Sequence, residues 1–241
     1  MERFNLTYQA SIFVNVSEIT PKPDVLTYFI GAFADKELIP ATFQEIGPAG
    51  ILERFNLNDS KGIWSVGFSS NRIDIIKSNP NLGVTEIGSI EEFRDEVKKI
   101  AGIIFTKYPR NANRLAFVTT HIVNKLSQHE FTVIFNNLFK PMPTYKNNDR
   151  TEWGSRMVSR INREFNSRIE VHNVITEINR IKGSLNIESS IRNIERLQIK
   201  LDINTFQDNT DFRFEQPDIE AFYDEVVKWE QSLRDELEYL F

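Results

Sequence analysis

Residues 89–100 read SIEEFRDEVKKI, and residues 218–229 read DIEAFYDEVVKW. Seven of the twelve positions are identical across a separation of 129 residues: Ile, Glu, Phe, Asp, Glu, Val and Lys. In each stretch Ile, Phe and Val recur three and four residues apart, with carboxylates between them. That spacing predicts an amphipathic helix. Each stretch also follows a strand-like tetrad, RIDI (72–75) in one case and KLDI (200–203) in the other. Fifteen residues separate Ile75 from Ile90, and sixteen separate Ile203 from Ile219. Strand, loop and helix therefore agree together, which predicts an internal duplication of two large units.

The rest of the chain falls into place around these helices. Residues 4–16 alternate, with Phe4, Leu6, Tyr8, Ala10, Ile12, Val14 and Val16 on one face and Asn5, Thr7, Gln9, Ser11, Phe13 and Asn15 on the other. Period two over this length predicts a strand. Thr20, Pro21 and Pro23 then open a short helix with the stripe Val25, Leu26, Phe29, Ile30 and Phe33. Residues 38–77 read as three or four antiparallel strands, with turns at NDSKG (58–62) and SSN (69–71). Ser89 and Glu92 form a capping box for a helix that runs to about Tyr108. The order then restarts. A strand spans 114–124, Ser127 and Glu130 cap a second short helix, and PMP (141–143) stops it. Strands are predicted over about 153–165, 168–182 and 193–206, then a last helix from near Pro217 to the end.

These elements predict an α+β fold with a duplicated β-α-β(3–4)-α unit. Residues 1–110 make a first β-α-β(4)-α unit and residues 111–241 a second β-α-β(3)-α unit. Two such units side by side can share one curved antiparallel sheet with helices on one face, protecting their edge strands. At the level of architecture this resembles the TATA-box-binding-protein-like topology, and less closely the helix-grip fold.

Two stretches carry a closer resemblance. RMVSRINREF (156–165) is similar, in Arg156, Arg160, Ile161 and Asn162, to an R-x-G-L-R-Y-I-N type strand. KLDINTF (200–206) is similar, in Leu201, Asp202 and Ile203, to a closing L-D-I-D type strand. Both strand types, with a final amphipathic helix, belong to a sporadically distributed family of uncharacterised bacterial proteins. The resemblance covers roughly the last 90 residues, and Val158 and Ser159 depart from it. It implies a fold and an accessory or defence setting, and no activity.

Composition narrows the chemistry. The chain has 241 residues, 40% hydrophobic and 26% charged, with nineteen Phe, enough for a large core. It has no cysteine, which excludes disulfides, thiolate metal sites and a cysteine nucleophile, and fits a cytoplasmic setting. No apolar run of about 18 residues predicts a membrane span. His121, His129 and His172 lack metal-ligand spacing, and no phosphate-cradling or nucleophile-elbow motif occurs. No cofactor, metal or catalytic residue is therefore expected.

The formal net charge of −5 is unevenly spread. Residues 140–200 hold 12 Lys and Arg against 7 Asp and Glu, whereas residues 201–241 hold 3 against 12. Period two places Arg156, Arg160 and Asn162 on one face of their strand, and Arg196, Gln198, Lys200 and Asp202 on one face of theirs. If these strands are neighbours, Arg156, Arg160, Asn162, Arg196 and Lys200 form one basic, amide-rich binding patch. Such a face suits a protein or other macromolecular partner. The alternative is nucleic acid held by a basic saddle within residues 146–200. A third reading is an enzyme built on Asp74 or Asp202, which hold equivalent places in the two units.

Overall fold

The alternating N-terminal segment lies at the centre of the molecule, as strand β1 (Arg3–Phe13). The computed structural model describes residues 3–48, 50–80, 86–148, 150–187 and 190–241, with the side chains of 184–192 outside that set. After β1 come α1 (Pro23–Ala32), β2 (Ile39–Gly47), β3 (Gly50–Asn58), β4 (Trp64–Ser69), β5 (Arg72–Ser78) and α2 (Ile90–Lys107). Then follow β6 (Arg114–Val123), α3 (Gln128–Leu138), α4 (Pro143–Lys146), β7 (Trp153–Phe165), β8 (Arg168–Ile187), β9 (Ser190–Thr205) and α5 (Gln216–Glu236).

The strands make a single curved, unclosed sheet in the order β2-β3-β4-β5-β1-β6-β9-β8-β7. Every neighbouring pair is antiparallel. The expected α+β class and antiparallel sheet are therefore present. The centre of the sheet is the β1–β6 pair, with Tyr8 opposite Thr119 and Ile12 opposite Leu115. A bulge between Asn5 and Thr7 shifts this register. It moves Asn5 off the polar face predicted for it and places it opposite His121.

Strand residues of one parity pack against the helices. Tyr8 lies 5.5 Å from Phe93 of α2, Phe68 lies 4.8 Å from Phe29 of α1, and Phe117 lies 6.2 Å from Tyr223 of α5 (ring centroids). A second cluster lies under α3, where Trp153 meets Phe135 edge-on at 5.8 Å. The main core is continuous across residue 110, since Phe93, Phe117, Ile203 and Phe222 belong to it together.

The two related stretches are consistent with this packing. Ile90, Phe93 and Val97 are buried in α2, and Ile219, Phe222 and Val226 are buried in α5. Both helices open with a capping box, Ser89/Glu92 in α2 and Glu215/Asp218 in α5, but at different offsets from the shared Ile. Ser89 Oγ accepts from the Glu92 amide and Glu92 accepts from the Ser89 amide, both at 3.1 Å, so α2 starts at Ile90. Pro217 sits in the first turn of α5, which starts earlier relative to the shared Ile. The α1 stripe is narrower than predicted: Val25 and Phe29 are buried, while Ile30 is 43% exposed.

Phe93 and Phe222 are 0% and 2% exposed, and each seats its helix on the sheet. Phe93→Ala and Phe222→Ala should each lower unfolding free energy by about 3–5 kcal/mol. Urea denaturation of the two variants checks this, and a loss under about 1 kcal/mol at either site would contradict the packing.

Candidate functional site

The other face of the sheet carries no packed helix among the described residues. One register row crosses it as Asn56, Gly67, Asp74, Ser11, Ala116, Asn204, Asn173 and Arg160. The middle of this row is sealed although it faces away from the helices: Ser11, Ala116, Asn204 and Asn173 are each under 7% exposed. Larger neighbours roof it. Arg114 lies 4.6 Å from the centroid of the Phe13 ring, and Arg160 lies 4.5 Å from that of Phe206.

The sealed polar groups satisfy one another. Ser11 Oγ donates to Asp74 Oδ1 at 2.6 Å, and Gln9 Nε2 donates to the same oxygen at 3.2 Å. Arg72 Nε stands 2.7 Å from Asp74 Oδ2, an ion-pair contact whose angle departs from a hydrogen bond. Further along, Asn173 Nδ2 and Arg114 Nη2 donate to Asn204 Oδ1 at 3.1 and 3.2 Å, and Asn204 Nδ2 donates to Asp202 Oδ1 at 2.8 Å. Burial pulls the Arg114 guanidinium below its ordinary pKa, and Asp202 opposes that shift. Beyond this seam Thr7, Gln9, Val118, Thr120, Gln198 and Lys200 are half-buried, and Thr7, Gln9, Thr120 and Gln198 carry hydroxyls and amides there.

The predicted basic patch is rearranged because β8 stands between β7 and β9. Alternation within each strand was read correctly, but adjacency was not. Arg156 meets Glu177 of β8, with Nε 3.2 Å from Oε1, and Lys200 lies opposite the same Glu177 from the other side. Arg160 is exposed, opposite Asn173. Asn162 is exposed opposite Val171, and Arg196 is half-buried opposite Ile181. Asp74 and Asp202 are separated by β1 and β6, three strand spacings or about 14 Å. Paired-carboxylate chemistry needs them closer. No group of three or more His, Cys, Asp or Glu suited to a metal occurs among the described residues.

Sequence reasoning missed Arg72, Arg114, Asn173 and Asn204. Period two in RLAFVTTHIV puts Arg114, Ala116, Val118 and Thr120 on one face, so that signal was available for Arg114.

A second polar cluster lies on the helix side, beneath α5. His121 and Glu230 are both 1% exposed. Asn5 Oδ1 lies 2.8 Å from His121 Nδ1, and Arg234 Nη2 lies 3.2 Å from Nε2. His121 Nε2 also lies 3.1 Å from Glu230 Oε1, so this nitrogen stands between a carboxylate and a guanidinium. Thr119 Oγ1 donates to Glu230 Oε1 at 2.7 Å, and Arg234 donates to it at 2.8 Å. Burial alone would raise Glu230, but the His121 hydrogen bond and Arg234 outweigh it and hold Glu230 below the ordinary carboxylate range. Burial pushes His121 and His172 below the ordinary imidazole value. His172 stacks on Phe222, with centroids 6.2 Å apart and planes 6° apart. His121 and Glu230 are sealed from solvent, and the cluster fastens α5 to the sheet.

No family model matches the chain, and no curated protein and no solved structure is detectably similar to it.

Two expectations follow from this geometry. In the unfolded chain the imidazoles bind protons near their ordinary value of about 6.5, before the folded state does. Stability is therefore lost as pH falls through that value, and Glu230 extends the loss further into acid. The melting temperature should drop between about pH 7.5 and about pH 5.5, with a shallower slope in His121→Gln. A pH-independent melting temperature would show that these groups are not the sensors. Separately, Arg160→Glu removes an exposed stack on Phe206 and should cost only about 0.5–1 kcal/mol by urea unfolding.

Proposed function

We propose that this is a noncatalytic binding protein that holds a protein partner on the open sheet face. The supporting observation is the pairing of that bare face with a hydrogen-bonded seam at its centre. Side chains already fixed by Ser11–Asp74 and Asn173–Asn204–Asp202 contacts lose little further freedom on binding. Half-buried amides and hydroxyls around them supply the adaptable contacts that protein recognition uses.

Nucleic acid is the second reading, favoured by the arginines of this face. Its cations do not stand alone, however. Arg72 meets Asp74, Arg156 meets Glu177, and Arg114 feels Asp202. A polyanion laid across the face would bring phosphates against three carboxylates, a like-charge cost that a neutral or mixed-charge protein surface avoids. An enzyme centred on Asp74 or Asp202 is the least supported reading, given their separation.

We infer that the architecture is a duplication, with units at 1–110 and 111–241 meeting at β1–β6. The related sequences of α2 and α5 and the placing of β5 and β9 on opposite flanks of that pair support it. The TATA-box-binding-protein-like analogy and a bacterial accessory or defence role belong to the same reading. No helix among the described residues is long and apolar enough to cross a membrane, and the cysteine-free sequence suits a reducing cytoplasm.

Immobilised protein should retain a discrete polypeptide from a cell lysate, and Thr120→Arg, in the middle of the open face, should abolish retention at unchanged melting temperature. Retention that survives Thr120→Arg would place the partner elsewhere. Retention of nucleic acid instead, weakening steeply with salt, would favour the second reading.

A further inference from the structure

Strand β7 ends the sheet, and its outer edge has no neighbour among the described residues. Natural edge strands are blunted by short length, proline, charged side chains (lysine above all) or a bulge. The opposite edge follows this rule, since β2 has nine residues and carries Pro40. By contrast, β7 has thirteen residues, contains neither proline nor lysine, and pairs with β8 without a register shift. Every residue from Arg156 to Glu164 is exposed, including Met157, Val158 and Ile161 at 44%, 49% and 37%. Its arginines are drawn away from the edge. Arg156 is held by Glu177, Arg160 lies over Phe206, and Arg163 lies 4.0 Å from the centroid of Trp229.

We propose that β7 pairs antiparallel with β7 of a second copy of this chain, in the register centred on Ser159. A twofold axis normal to the sheet keeps open face beside open face, which limits the register to steps of two residues. Ser159 is the midpoint of Trp153–Phe165, so this register pairs all thirteen residues. It sets Arg160 opposite Val158, Arg156 opposite Asn162, Arg163 opposite Ser155, and Met157 opposite Ile161. No arginine faces another. Sliding the centre to Val158 places Arg156 against Arg160, and sliding it to Arg160 places Arg160 against itself. Like charges directly opposite one another destabilise a strand pair. The Arg160-centred register also sets Arg156 opposite Glu164, but either slip leaves two residues of each strand unpaired. Full overlap is the one of these three registers that pairs every residue of β7 and opposes no two arginines. The resulting dimer joins two nine-stranded sheets edge to edge and makes their open faces continuous.

Analytical ultracentrifugation over a concentration series tests the idea directly. The intact protein should sediment with twice the chain mass of 28.1 kDa at micromolar concentration. Val158→Glu places a carboxylate opposite Arg160 of the partner copy twice per dimer and should tighten association roughly tenfold. Val158→Arg creates two facing arginine pairs and should weaken it by a similar factor. Val158 is half exposed, so both variants should melt near the parent temperature, and backbone amides of β7 should exchange more slowly in the dimer. A chain that stays monomeric at about 100 μM overturns the proposal. So does a dimer that both Val158 variants leave unchanged or shift alike, and so does a monomer that captures only an added acidic strand peptide.

Discussion

The β1–β6 pair is the joint on which the molecule depends. Ten registered residue pairs hold it together. It carries β5 on one flank and β9 on the other, and so decides that nine strands form one sheet. On the helix side it sets Tyr8 and Phe117 under α2 and α5, in a run of rings from Tyr8 through Phe93 and Phe117 to Tyr223 with centroid spacings of 5.5–6.2 Å. On the open side it sets Ser11 beside Ala116, at the centre of the polar seam. Tyr223 joins the two layers, because its hydroxyl donates to the Ser11 carbonyl at 3.3 Å.

Polar groups are buried on both sides of this joint, with different effects. The sealed members of the open-side seam, Ser11, Asn173 and Asn204, are neutral, and their charged partners Asp74, Asp202 and Arg114 are only half-buried, so the hydrogen bonds that satisfy it carry a limited desolvation cost. The helix-side cluster contains a carboxylate and a guanidinium, whose desolvation offsets much of their attraction. Glu230 Oε2 has no hydrogen-bond partner among the described residues. The cluster's contribution is positional. Glu230 reaches Thr119 and His121 of β6 at once, which fixes the rotation of α5 about its own axis.

Much of the fold was legible because its signals are local. Alternation in β1 and the capping boxes at Ser89 and Ser127 are set by residues within a few positions of one another; both helices start at their boxes, while β1 ends at Phe13, three residues short of the alternating run. The candidate site was legible only in part. Period two places Arg156 and Lys200 on the correct faces, but it does not say that β8 intervenes, because strand order is a long-range property. Glu230 was indistinguishable from the solvated acids of α5, since the partner that explains its burial, His121, lies 109 residues away. Asn5 was misplaced because a bulge reverses parity without any mark in composition.

Topology also dictates the order in which this chain can be completed. Tyr8 and Thr119 face each other across the central pair yet lie 111 residues apart in sequence. During synthesis β1 emerges first and can meet β5, but its other edge stays unpaired until β6 has left the ribosome. The Phe117–Tyr223 contact must wait longer still, for the last helix. Pairing at such distance carries a large loop-closure cost before any contact rewards it, which makes assembly slow. The open edge of β1 is the aggregation-prone surface of the nascent chain, and the same strand becomes the middle one of the nine once the chain is complete.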